Sequence, residues 1–455
     1  MELDEFTERM FSIERRLGLF ADRLDGLPWW DAVRYDVYTS LYREMSALPG
    51  AKPDARSLLS RLGGRVMRGW LSFLLQLRVR FGRYDVLVLR AARQLRDGKL
   101  SDPAIDDFIS LCPGRLLTIN TSPHYHHILR ASSVSAQAIR VPALIQELIE
   151  ALHSELGSSW DEDRLRALIV AGIAQFENAT IAYRKLFARV RPRLVIMTQN
   201  GMEKALFFAA NEAGIRVIEG QHGLIGATHP AYAYPRDVDY QHSPTFPAVF
   251  LEFSSHWARS CFYPAGRCLP IGNDHFVPGV SPPSKPLSAI MFVASAPYHV
   301  AMLPWVTGLA AALPHRELIY KLHPGQRFAT EAIRRELSPW QNIRVVDASL
   351  PARALLAEVS HVVVIQSTVA LEALQSGRRV CILPLFEYRT HTDLFDLREV
   401  AVTGDIEQLI AAVNVAAAGG DPPTFFDPFD AQAAMRLLSD LLPSARRFGG
   451  PDQAN

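Results

Sequence analysis

Short apolar runs bounded by turn residues alternate with helical stretches twice over in this chain, and a proline-rich break separates the two series. Residues 84–89, 115–119, 194–198, 216–219 and 248–253 form the first series, and 289–293, 317–321, 343–346, 361–365 and 379–383 form the second. Runs this short and this rich in Val, Ile and Leu read as strands buried on both faces, and the helices between them make each sheet parallel. Gly214 and Gly377 stand where intervening helices should end. Between the series lie Pro278, Pro282, Pro283 and Pro286, the best domain boundary in the chain. The expected organisation is a helical N-terminal extension (1–80), a first doubly wound domain (81–273), a linker (274–287), a second doubly wound domain (288–425), and a C-terminal helix and tail (426–455). Two such domains leave a cleft between the carboxyl ends of their sheets, where ligands of open α/β folds bind.

Composition narrows the function classes. At 455 residues the chain exceeds one ordinary core. Lys and Arg number 48 against 47 Asp and Glu, so no overall field would gather nucleic acid, and an anion site must be built locally. The cysteines (Cys112, Cys261, Cys268, Cys381) show no CxxC spacing, which points away from structural zinc or disulfides and fits a reducing cytoplasm. The N-terminus has no apolar signal core. Over residues 61–83 Arg61, Arg65, Arg68, Arg78, Arg80 and Arg83 interleave with apolar residues and no acid, a pattern that fits either a solvated helix face or peripheral contact with the inner face of the cytoplasmic membrane.

The chemistry-bearing residues fall at strand ends. Lys321 ends one strand and His323-Pro324-Gly325 follows it; a second His-Pro pair, His229-Pro230, shows that the dipeptide alone decides nothing. At a sheet edge an imidazole and an ammonium can hold a phosphate. Gln366-Ser367-Thr368 follows the next buried strand and opens a helix, whose hydroxyls and first N–H groups offer an anion site or an ordinary cap. Glu372, one turn on, is placed to accept from ribose hydroxyls. In the first half Glu219-Gly220-Gln221-His222-Gly223 ends a strand, with glycines that permit close approach of a ligand. Gln199 and Asn200 end the neighbouring strand, and Asn120 and His124 follow an earlier one, as uncharged partners for sugar hydroxyls. The long segment 228–239, with Tyr232, Asp237 and Asp239, reads as an acceptor loop or as a loop packed by its own tyrosines.

Lys321-x-His323-Pro324, then Ser367-Thr368, Glu372-Ala373-Leu374 and Gly377, resembles the C-terminal half of GT-B enzymes of bacterial surface carbohydrate synthesis. These are the CDP-glycerol glycerophosphotransferases, the CMP-sialic acid transferases and the capsule Kdo transferases. The resemblance is firm over about residues 288–385, looser over 190–273, and absent over the first 80 residues. It implies two Rossmann-like domains facing across a cleft, and donor nucleotide and phosphate held by His323, Ser367 and Thr368 with Lys321, Pro324, Gly325, Gln366 and Glu372 around them. From the residues themselves, the acceptor would meet Gln199, Asn200, Gln221, Tyr232, Asp237 and Asp239; Glu219 or His222 would take its proton, with Asp237 and Asp239 as second-choice bases and His222 alternatively polarising the donor phosphate. The reaction implied is transfer of a sugar from a nucleotide-activated donor, CMP-linked by preference, to a capsule, O-antigen or related glycan or lipid-linked glycan, with no cofactor and no metal. His124-Tyr125-His126-His127 lacks a third separated ligand, and Asp237-x-Asp239 stands in an aromatic loop. No GxGxxG follows a strand, against a dinucleotide redox enzyme. A nucleotide-sugar epimerase of the same fold and a non-catalytic component of a polysaccharide assembly complex are the rival expectations.

Overall fold

The computed structural model describes residues 2–45, 82–91, 94–96, 99–120, 142–157, 159–198, 203–236, 238–239, 243–257, 263–277, 288–295, 298–323, 326, 329–385, 388–416 and 421–442. The basic segment around 61–81 and most of the proline-rich linker lie outside these residues.

The first sheet begins with β1 (Val86–Arg90). A small antiparallel hairpin, β2 (Gln94–Arg96) and β3 (Lys99–Ser101), follows it, then β4 (Leu116–Asn120), β5 (Leu194–Thr198), β6 (Arg216–Gly220), β7 (Val249–Glu252) and β8 (Cys268–Pro270). Its six parallel strands run in the order β4-β1-β5-β6-β7-β8. The second sheet holds β9 (Ala289–Val293), β10 (Leu318–Lys321), β11 (Ile343–Val346), β12 (Val359–Val364), β13 (Arg379–Ile382) and β14 (Val400–Val402) in the parallel order β11-β10-β9-β12-β13-β14. The expected architecture of two Rossmann-like doubly wound domains is therefore present.

Alternation along each strand shows why both faces are apolar. Leu87 and Leu89 of β1 pack under helices Glu162–Val190 and Lys204–Glu212, while Val86 and Val88 face the other way, against Phe108, Ala434 and Leu438. In the second sheet Ile290 and Phe292 lie beneath helix His299–Ala312, and Met291 and Val293 join Leu371 and Leu374 of helix Val369–Gln375. Helices Leu3–Leu17 and Trp29–Met45 are packed on helices Ile145–Leu156 and Glu162–Val190 by Phe6, Met10, Trp29, Trp30 and Val33. After the second sheet the chain crosses back. Phe425 O accepts from Ser254 Oγ (2.8 Å) and Trp257 Nε1 (3.0 Å), and Asn273 N–H donates to Asp427 O (2.8 Å). Helix Ala431–Leu441 then covers the first sheet.

Gly214 and Gly377 both take positive φ (66° and 72°) after their helices, as expected. Three features depart from the sequence reading. The helix expected after Ala352 is a single 3-10 turn, Ala352–Leu355, started by Pro351. The hairpin β2–β3 and the edge strand β14 are each three residues long, too short to leave a periodic signal.

Candidate functional site

Strand order fixes where each sheet opens. In the second sheet the order reverses between β9 and β12, so the crevice lies outside the ends of these two strands. In the first sheet the reversal falls between β1 and β5, where Asp102 and Asp106 tie the strand ends together. Asp102 Oδ2 accepts from Ala91 N (2.7 Å) and Thr198 Oγ1 (3.2 Å), and Asp106 supports it through Asp102 N (3.0 Å). Burial raises the Asp102 carboxyl pKa, and the Ala91 N–H works against that rise. The neighbouring strand β6 ends in the loop that carries Gln221 and His222.

At that end the side chains alternate. Glu219 and Gln221 are fully buried, and His222 is half-buried. Tyr232 Oη donates to Glu219 Oε1 (2.5 Å) and stands 3.2 Å from His222 Nδ1; Tyr263 Oη donates to Glu219 Oε2 (3.2 Å). With its single proton given to the carboxylate, the Tyr232 hydroxyl accepts from His222 Nδ1–H. That tautomer leaves Nε2 as the basic nitrogen. Lys204 stands near Glu219 and Asp31; burial lowers its pKa to about 8 against the pull of the two carboxylates, and its Nζ donates to Tyr234 Oη (3.0 Å). His229, whose pKa burial lowers to about 4, accepts the Ala231 N–H at Nδ1 (3.2 Å), which folds the loop so that Tyr232 and Tyr234 turn inward.

Three expectations for this half are corrected. Glu219 has no exposed surface and cannot reach an acceptor hydroxyl; its place is behind His222. Gln221 ties the ends of β6 and β7, taking Phe253 N–H at Oε1 (2.9 Å) and donating to Gly223 O (3.0 Å), so it too faces inward. Tyr232 is 1% exposed and packs against Phe250 and Tyr263, so the loop packed by its own tyrosines is the form observed. Asp239 is exposed. Gln199, Asn200, Asp237 and His124 lie outside the described residues, as do Pro324 and Gly325.

In the second domain β10 and β12 flank β9, which sets their carboxyl ends about 10 Å apart, two strand spacings. His323 is exposed beyond β10, its N–H taken by Gln326 Oε1 (2.9 Å). Lys321 is buried; its Nζ donates to Leu322 O (2.6 Å), and burial lowers its pKa to about 8 against the pull of Asp347. Gln366, Ser367 and Thr368 are half-buried. The expected cap is made by Ser367, whose Oγ accepts Val369 N–H (3.2 Å), while Thr368 makes no side-chain cap. Ser367 N–H in turn goes to His391 Nε2 (3.0 Å). The free N–H groups expected as an anion site are thus largely committed inside the protein, which leaves the hydroxyls as the candidate donors at this edge. Glu372 is buried, and burial raises its pKa to about 8 against the pull of Arg353; a neutral carboxyl there donates as well as accepts.

The two halves meet at these same residues. A methyl group added at Gly223 would lie 3.8 Å from Thr368 Cγ2, and one at Gly226 would lie 3.4 Å from Thr390 O. The loop after β6, with His222 beside Gly223, therefore faces the Ser367–Thr368 turn directly. Lys204, Asp102 and His391 escaped the sequence reading. For His391 a signal existed, since it follows β13 at the same carboxyl edge; Lys204 and Asp102 become meaningful only once folding brings their partners to them. A surface depression of about 680 Å³, lined by Arg184, Phe187, Arg191, Glu212 and Ile215 among others, lies at the opposite, amino edge of the first sheet and takes no part.

No protein-family model and no curated protein matches the sequence. Similar solved structures include UDP-GlcNAc 2-epimerase from Neisseria meningitidis bound to UDP-GlcNAc, at 13% identity over 79% of this chain and 100% of that one, TM-score 0.46. The Methanocaldococcus jannaschii UDP-GlcNAc 2-epimerase in complex with UDP-GlcNAc and UDP is similar at 12% identity, over 79% of this chain and 99% of that one, TM-score 0.48. Spinosyn rhamnosyltransferase SpnG complexed with spinosyn aglycone is similar at 17% identity, over 79% and 96%, TM-score 0.44. Likeness this remote assigns no activity.

Proposed function

We propose that the protein is a glycosyltransferase that moves a sugar from a nucleotide-activated donor to a hydroxyl of a bacterial surface glycan or its lipid-linked precursor. The observation that carries this reading is the chain Glu219–Tyr232–His222, set in one domain opposite the Ser367–Thr368 turn of the other. A buried carboxylate that orients an imidazole through one hydroxyl is the arrangement a general base needs, and it stabilises the imidazolium formed when the base takes a proton. In this reading His222 Nε2 receives the acceptor's proton. His323, Ser367 and Thr368 donate to the departing phosphate, where negative charge grows, and Lys321 adds charge from below. Glu372 meets the nucleoside. CMP-linked donors come first, as the resemblance of the Lys321-x-His323-Pro324 and Ser367-Thr368 motifs implies, and UDP- or GDP-sugars next. Contact with the membrane would come from the basic residues around 61–83; among the described residues no helix is long and apolar enough to cross one.

The test follows each donor by NMR with the wild-type protein and His222→Ala, with and without oligosaccharide acceptors. A transferase yields free nucleotide and an elongated acceptor, and the variant slows this by about 10²–10⁴. Conversion of the donor's own sugar to an epimer, with the nucleotide still attached and no acceptor present, would overturn the reading in favour of an epimerase. A thermal-shift screen of CMP, CDP, UDP and GDP checks the donor site by itself. Saturation at a hundred times Kd adds about 2.7 kcal/mol, and His323→Ala should abolish the shift.

A further inference from the structure

Segment Tyr388–Leu394 follows β13 and touches three parts of the molecule. Arg389 donates through Nε (3.0 Å) and Nη2 (2.6 Å) to Asp4 Oδ2 in the first helix. Thr390 O faces Gly226 of the loop that carries His222. His391 Nε2 accepts the Ser367 N–H (3.0 Å). The imidazole is 1% exposed, and among the described residues its Nδ1 has no hydrogen-bond partner.

The acceptor role at Nε2 requires the proton to sit on Nδ1, where it is buried and unpaired. A buried donor left unmade costs stability, and an apolar ring of similar size would avoid that cost. The one thing the imidazole adds is an acceptor aimed at Ser367. We propose that His391 is a positioning residue of the donor site. By holding the Ser367 N–H it fixes the turn that presents the Ser367 and Thr368 hydroxyls across from Gly223 and His222. This rests on reading that turn as the donor clamp. Held from behind, the turn does not have to be ordered when a donor phosphate arrives, so the role belongs to affinity for the donor.

The experiment measures Kd by calorimetry for CMP, UDP and GDP with the wild type, His391→Phe, His391→Gln and His391→Asn. Gln places its amide oxygen where Nε2 stands, and Asn ends a bond short of it. Phe and Asn should weaken binding of the preferred nucleotide at least tenfold, and Gln should stay within threefold of wild type. Wild-type affinity in Phe and Asn, or equal losses in Gln and Asn, would overturn the positioning role while leaving the donor site standing. If Phe does not fold, the Gln and Asn pair decides the question. Absence of binding by the wild type to all three nucleotides would remove the donor clamp itself, and the role of His391 with it.

Discussion

At the scale of single residues, the hydroxyl of Tyr232 is the narrowest link in the site. It joins Glu219 to His222, at 2.5 Å and 3.2 Å. Tyr232→Phe keeps the ring against Phe250 and Tyr263 but removes that link. Glu219 then retains Tyr263 and the nearby Lys204 charge. The variant should lose about 1–3 kcal/mol of stability for the unmet carboxylate oxygen. On the proposed function it should also lower kcat by one to two orders of magnitude with nucleotide affinity unchanged, since the proposed donor residues lie in the other domain. A kcat equal to wild type would show that His222 needs no orienting partner. Glu372 gives a pH signature of its own. Its folded pKa, about 8, lies above the usual value near 4.5, so between these values the folded protein holds a proton that the unfolded chain has lost. Stability therefore falls as pH rises from about 4.5 to about 8. Glu372→Gln removes this slope: its melting temperature should match wild type near pH 4.5 and exceed it by a few degrees at pH 8. Parallel melting curves across that range would refute the assignment.

Among elements, the two N-terminal helices matter more than a helical extension would. Arg34 of helix Trp29–Met45 is buried with Glu14 of helix Leu3–Leu17 at 2.5 Å, and it also donates to Tyr38 Oη (2.9 Å) and to Pro230 O. Burial opposes its charge, and the Glu14 carboxylate more than offsets that, raising its pKa. Since Pro230 stands two residues before Tyr232, these helices hold the loop behind His222. Arg34→Met should cost about 3–5 kcal/mol by leaving the buried Glu14 carboxyl without its ion-pair partner, and Glu14→Gln in the same chain should recover part of it. Denaturant melts of the single and double variants measure this; additive losses would mean that the pair is not coupled. None of this was legible in the sequence. The helices themselves were, because amphipathic periodicity is local. Glu14, Arg34 and Pro230 look like ordinary surface and turn residues until three separate segments meet. The same distinction runs through the site. His222, His323, Ser367 and Thr368 stand just past strand ends, as expected, because strand ends in a parallel sheet are legible one at a time. Glu219 and Gln221 were placed at the right edge but given the wrong direction, since alternation past a strand's last residue decides which side chains turn inward.

For the whole molecule, the question is what keeps two sheets in the relation that brings Gly223 to Thr368. Part of the answer is the crossover at residues 425–430, which bonds Phe253, Ser254, Trp257 and Asn273 of the first half before helix Ala431–Leu441 covers the first sheet. Sequence periodicity announced that helix but not its destination, which depends on contacts far apart along the chain. Gly272 is the tightest point of the crossing. Its φ is 73°, and a methyl group there would lie 2.1 Å from Pro428 O and 2.6 Å from Asp427 O. Both neighbours are backbone, so neither can swing aside as a side chain tip would. Gly272→Ala must therefore adopt a left-handed conformation, costing about 1–2 kcal/mol, and must also push the crossover away. The consequence should be shared by both halves. Hydrogen exchange should speed up most in residues 425–441 and in β7 and β8 beneath them, and less in β9 to β13, whose one face packs with Phe425 and Phe426 while the other is completed without the crossover. On the proposed function, nucleotide affinity should then change little while transfer to an acceptor falls. Faster exchange throughout the second sheet would instead mean that the two domains unfold as one unit and that the crossover stabilises both.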